Sequence, residues 1–363
     1  MRAFITVVFL LCAAPVGSVQ AAESRLATTG MIRVEAAGRV IEGMPLAWDA
    51  EAVHLLGRDG QLSSFDPTKA TDFRRTAARF QPYSVSELRA RLLRELGDGY
   101  DVSGTTHYLI AHPRGRRDQW AGRFEDLYRA FVYYFSVRGF RIEEPPFPLI
   151  GVVCRDRKEF ERLAAARGIK ATSDAVGLYD LKTNRILVFD AATSDSGDDW
   201  RRNAATVVHE ATHQMAFNTG IHNRYCPPPL WVAEGLATMF EATGVHDARG
   251  HGSQADRVNR VRLREYRAML GDKHDGRLPA ELTASDRFFA KSPVAAYAKA
   301  WAMTFYLMET QPDRFARYLE LTASHPPLTN YPPERRLNDF TSVFGDNWRL
   351  FDAQLGRFVD GLK

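Results

Sequence analysis

Cysteine is scarce in this chain, with 3 among 363 residues, so a fold stapled by a dense disulfide framework is excluded. Cys12 lies in the N-terminal apolar run and follows Leu11 instead of the small residue that lipid attachment would favour. Cys154 and Cys226 remain, as one disulfide or as two buried thiols, and sequence does not choose between them. A dominant charge is missing too. Lys and Arg number 48 against 44 Asp and Glu, a formal net charge of +4, which gives no electrostatic footprint for nucleic acid. The basic segments 114–117 and 257–267 are expected to be solvated faces. There is no internal repeat or low-complexity tract, and no apolar run reaches the roughly 20 residues a spanning helix needs. What is present is ordinary globular material, 45% hydrophobic and 25% charged, enough for two or three folding units.

Residues 1–21 have the form of a signal peptide: Arg2, an apolar run over residues 3–14, and small residues up to Ala21. The expectation is a secreted or periplasmic protein, cut near Ala21, with no membrane span in the mature chain.

Beyond it, residues 28–70 alternate apolar and polar positions between turn-forming Gly38, Gly43 and Asp59-Gly60, the pattern of a small SH3-like β-module. Residues 84–193 mix helix and strand. A helix with Leu88, Leu92, Leu93 and Leu96 at helical spacing is stopped by Gly97. Strands follow over 106–111 and 148–154, helices over 118–137 and 158–167, and a strand pair over 177–181 and 185–190. Residues 194–363 are helical, with helices expected over 200–218, 230–242, 254–270, 293–309 and 347–362 and loops containing Pro and Gly between them. Strand-rich material followed by helical material predicts an α+β fold.

The chemistry is concentrated at His209-Glu210-Ala211-Thr212-His213. On a helix, residues four apart differ by about 40° around the axis, so both imidazoles reach one metal ion. Glu210 projects about 100° away, beside the ion rather than onto it, where a carboxylate can take a proton from a water and return it to a leaving amine. Two neutral imidazoles and a carboxylate suit Zn²⁺. The carboxylate is sought in Trp231-Val232-Ala233-Glu234-Gly235-Leu236-Ala237, a helix begun after Pro227-Pro228-Pro229. Burying one carboxylate among apolar neighbours is costly unless a cation meets it. Glu234 is therefore the expected third ligand. Glu241, seven residues on and on nearly the same face, competes for that role, and a surface-helix reading of both carboxylates stays open.

HExxH, a spacer of about twenty residues and a W-x-x-E-G-x-A helix together resemble the gluzincin zinc peptidases, and more narrowly the bacterial DUF1570 or peptidase-MA-like family. The resemblance extends over residues 100–362, including His107-Tyr108-Leu109, Tyr134-Phe135, Asn184-Arg185-Ile186 and Tyr297-Ala298-Lys299-Ala300-Trp301-Ala302. It implies a thermolysin-like zincin catalytic domain, with His209, His213 and Glu234 as metal ligands and Glu210 as base. Tyr297 is implied as the donor to a developing oxyanion, with Tyr306 and His222 behind it. Where thermolysin-type relatives place an acid four residues after the glutamate ligand, this chain has Thr238. That leaves Asn203, Thr206 and Glu241 as candidates to orient the ligand histidines. The G-x-M-E-N motif of aminopeptidases is absent. The resemblance also implies a strand edge, residues 185–189 or 177–181, for pairing with substrate backbone, and a loop flanked by His246 and His251 is a candidate lid.

The expected activity is hydrolysis of a peptide or protein substrate by a zinc metallopeptidase. A zinc-stabilised cell-envelope binding protein without turnover, and a zinc hydrolase of another amide or ester, are the readings from other classes.

Overall fold

The computed structural model describes residues 30–115, 120–172, 175–189, 199–247, 252–270 and 275–362, with backbone alone at 199–203 and 270. The expected leader, residues 1–21, lies outside the described residues. The chain divides into two compact units, Met1–Gly122 with Pro145–Asp190, and Arg123–Glu144 with Ala191–Lys363.

The first unit holds two sheets. β1 (Met31–Ala36), β2 (Arg39–Trp48), β3 (Val53–Gly57), β4 (Leu62–Phe65) and β5 (Ala70–Ala77) form one in the order β4-β3-β2-β1-β5. All four pairings are antiparallel. Ile32, Val34 and Leu55 make its small core. The alternation in the sequence gives this sheet, but an SH3-like arrangement is not shown. α1 (Val85–Leu96) starts on a capping box between Ser84 and Glu87. β6 (Tyr100–Gly104) and β7 (Tyr108–Pro113) follow, and α2 (Trp120–Ser136) passes at Arg123 into the second unit. β8 (Leu149–Cys154), α3 (Arg157–Ala165), β9 (Gly177–Asp180) and β10 (Arg185–Phe189) complete the first.

The second sheet runs β6-β7-β8-β10-β9 and is mixed, parallel at β7–β8 and β8–β10. The all-apolar run Leu149–Cys154 occupies its centre, as a strand covered on both faces requires. Of the two expected edge strands, β10 is interior, hydrogen-bonded to both β8 and β9, so only β9 has an open edge.

The second unit is helical: α4 (Asp199–Asn218), α5 (Leu230–Phe240), α6 (Thr243–His246), α7 (Arg260–Leu270), α8 (Arg277–Ala284), α9 (Arg287–Lys291), α10 (Pro293–Thr310), α11 (Pro312–Ala323), α12 (Pro333–Phe344) and α13 (Trp348–Asp360). Two differences from expectation have physical causes. Residues 277–291 and 312–344, expected as loops, carry four helices. Two of these begin on Pro312 and Pro333, where proline's fixed φ and missing N–H suit the first helical turn. Residues 254–270, expected as one helix, are a 3₁₀ turn (Gln254–Arg257) and then α7, because Val258 is extended at φ −77°, ψ 121°.

Among the described residues no helix is long and apolar enough to cross a membrane. Cys154 and Cys226 are each buried and free.

Candidate metal centre

α4 carries the HExxH residues and is stopped by Gly220 at φ 83°, where the His222 N–H reaches back to the Ala216 carbonyl at 2.9 Å. α5 follows the three prolines. Its cap residue, Pro229, has no side-chain acceptor, and Asp286 supplies one to Leu230 N–H at 3.0 Å while pairing with Arg336 at 2.9 Å. Every residue from Trp231 to Phe240 is buried, which removes the reading of α5 as a surface helix. Phe240 packs on Phe131 and Phe135 of α2, with centroids 5.2 and 5.9 Å away, and Trp231 stacks on Tyr318.

These elements bring His209, His213 and Glu234 together, with one ligand atom from each lying within 4.8 Å of the others. The two Nε2 atoms are 3.1 Å apart. The Glu234 carboxylate lies 3.2 Å from His209 Nε2 and 3.7 Å from His213 Nε2. A tetrahedral site with zinc–nitrogen bonds of about 2.05 Å sets its ligand atoms about 3.3 Å apart, so this donor set has the right chemistry and nearly the right spacing. His209, Glu210 and Glu234 are 0% exposed and His213 is 1% exposed.

Burial opposes a charge on Glu234, but the neighbouring imidazoles outweigh it and hold the carboxyl at about 2. Burial likewise opposes a charge on His209, and its bonds to Glu234 and Glu241 reverse the balance and raise it to about 10. The buried Glu234 carboxylate thus favours a positive charge at His209.

Glu241 is not at the centre. It accepts a bond from the far side of His209, Nδ1 to Oε1 at 2.9 Å, which leaves Nε2 facing Glu234. Of the two orienting candidates whose side chains are described, Glu241 is the one placed on a histidine. Thr206 is buried on α4, and the side chain of Asn203 lies outside the described residues. Thr238 turns its hydroxyl into its own helix, onto the Glu234 and Gly235 carbonyls at 2.7 and 3.0 Å.

Tyr297, on α10, sits with its ring centroid 6.5 Å from that of His209. Burial and then the Glu234 carboxylate raise its phenol well above the ordinary value, and the Glu210 charge acts in the same direction. The phenol therefore keeps its proton. Tyr306 is elsewhere, donating to Gln354 and packed on Phe351 and Phe358. His222 packs on Phe217, with Nδ1 3.0 Å from the Ile221 carbonyl, and burial lowers it to about 3. His246 Nδ1 bonds the Phe240 carbonyl at 2.8 Å, closing the end of α5, while His251 lies outside the described residues.

Sequence reasoning missed Arg262. Assigned to a solvated basic face, it is 8% exposed, with its guanidinium 5.1 Å from the Tyr297 ring centroid. Its one-turn spacing from Asn259 and Tyr266, which are also buried, is the signal that was available.

Residues 203–329 match the family described as "Protein of unknown function (DUF1570)". No curated protein matches the chain. Among solved structures, the chain is similar to a mutant form of the M1 zinc metallopeptidase from Deinococcus radiodurans, with 14% identity and a TM-score of 0.40, over 72% of this chain and 51% of that one. The chain thus spans about half the length of that structure.

Proposed function

We propose that the protein is a secreted or periplasmic zinc-dependent metallopeptidase, with His209, His213 and Glu234 as metal ligands. The observation that carries this reading is the convergence of three buried donors within 4.8 Å of one another. A bound zinc ion would polarise a scissile carbonyl and acidify a water. Glu210, one residue from the first ligand and fully buried, is the base that takes the proton and passes it to the leaving amine. Tyr297, held protonated by burial and by Glu234, donates its O–H to the oxygen on which negative charge develops. The segment matched by the DUF1570 family, residues 203–329, contains all three ligands and Glu210.

The full burial of the four central side chains favours one alternative, a zinc-stabilised binding protein without turnover. A single experiment separates the two: metal analysis of the mature protein, with peptide-library profiling of wild type and Glu210→Gln. One zinc per chain and cleavage abolished in Glu210→Gln support the peptidase. One zinc with no peptide cleavage by wild type removes the peptidase and leaves the binding protein or a hydrolase of another amide or ester. Absence of stoichiometric zinc, or equal cleavage by the variant, refutes the proposal.

A further inference from the structure

The break between the 3₁₀ turn Gln254–Arg257 and α7 places Asn259 ahead of the first turn of α7. Its side-chain oxygen accepts from the backbone N–H groups of Val261 and Arg262, both at 3.2 Å, so it caps that helix. Its amide nitrogen faces the other way and donates twice. One bond goes to the Thr238 carbonyl at 2.8 Å, among the last carbonyls of α5, which lack intrahelical partners. The other goes to Glu241 Oε2 at 2.9 Å. The opposite oxygen of the same carboxylate holds His209 Nδ1 at 2.9 Å.

An asparagine alone among the usual capping residues can do all of this. Serine, threonine and aspartate supply the acceptor for a helix start, but none supplies two N–H donors from the same side chain. Asn259 is 6% exposed, so the bonds it makes are shielded from competing water. A glutamate as flexible as Glu241, anchored only by the histidine it orients, would leave that imidazole free to swing. Anchored at its second oxygen, it becomes a fixed acceptor.

We propose that Asn259 is a positioning residue for the metal centre, acting through Glu241 to fix the tautomer and ring orientation of His209. This rests on the reading of His209 as a zinc ligand. It makes the start of α7, a segment with no metal-binding pattern of its own, part of what sets metal affinity. It also explains how the chain manages with Thr238 where relatives of the thermolysin type carry an acid: the orienting carboxylate is one turn later, and a second helix holds it.

The test is a double-mutant cycle on zinc affinity, measured by competition with a chromogenic chelator. Asn259→Ser keeps a cap acceptor and removes both donors, while Glu241→Gln removes the orienting carboxylate. Each single variant is expected to weaken zinc about 10–100-fold, and the double variant to bind no more weakly than Glu241→Gln alone. Unchanged affinity in Asn259→Ser, or fully additive losses, would overturn the inference while wild-type zinc binding stands. Absence of zinc from the wild type would instead remove the ligand reading, and this inference with it. Should Asn259→Ser fail to melt cooperatively, Asn259→Asp serves, since it preserves size and capping oxygen and turns both donor bonds into repulsions; wild-type affinity in that variant refutes the idea equally.

Discussion

A Cβ built on Gly235 would stand 2.5 Å from the Ala300 carbonyl oxygen and 2.2 Å from Thr304 Oγ1. α5 and α10 touch here backbone to backbone. The residue before Gly235 is Glu234, and the residue one turn before Ala300 on α10 is Tyr297, so this close approach is what brings phenol and carboxylate together. Gly235→Ala is expected to cost about 1–3 kcal/mol from overpacking and to weaken zinc binding, because relief requires moving α5 from α10. Denaturant unfolding and zinc titration check it; a variant with wild-type values in both would show that the contact has slack.

Tyr297→Phe removes only the phenolic oxygen. If the hydroxyl donates to the oxyanion, kcat falls about 10²–10³-fold with zinc stoichiometry intact. Steady-state kinetics beside metal analysis decide the matter, and an unchanged kcat would reduce Tyr297 to packing against Phe289, its neighbour at 5.3 Å.

Lys299 and Asp352 form an ion pair at 2.5 Å with side chains 1% and 0% exposed, joining α10 to α13. Tyr266 and the Gly276 N–H add bonds at 3.3 and 3.1 Å. Breaking one partner strands a buried charge. Lys299→Met is expected to destabilise the protein by about 3–5 kcal/mol, and Lys299→Met with Asp352→Leu by much less. Chemical denaturation of both variants tests this, and equal losses would contradict it.

Glu159 accepts from Tyr100, from the Arg155 backbone and from the Arg155 guanidinium. Burial works against its charge, but those bonds prevail and hold it at about 2, below its ordinary 4.5. A depressed carboxyl stabilises the folded state above its ordinary pKa and loses that contribution as pH falls toward the depressed one. Stability should therefore drop between pH 4.5 and about 2, and Glu159→Gln should flatten that part of the curve. Thermal melts across the range, identical for wild type and variant, would count against it.

Chelation gives the last expectation. A ligand that binds only the folded chain stabilises it by about 4 kcal/mol at a thousandfold excess over Kd, so a strong chelator should lower Tm reversibly, with recovery on adding zinc. A Tm indifferent to chelator would mean that the centre holds no metal.

Much of the local structure was legible in the chain. Leu88, Leu92 and Leu96 at helical spacing, Gly220 after the histidine helix, and the apolar run at β8 each encode their element through short-range sterics and periodicity, which need no tertiary context. The HExxH spacing determines that two imidazoles share one helix face, and three prolines ahead of Trp231 determine that a second helix starts there. The tertiary structure decided which carboxylate meets the histidines. Glu234 and Glu241 lie seven residues apart on nearly the same face, and only the packing of α5 places the former on Nε2 and the latter on Nδ1. It also decided the parts played by Asn259 and Arg262, since both depend on α7 being broken from the turn before it and packed against α10. Spacing along a chain encodes what one helix can present; which atom faces which across two helices depends on the burial of both, and no local pattern records it.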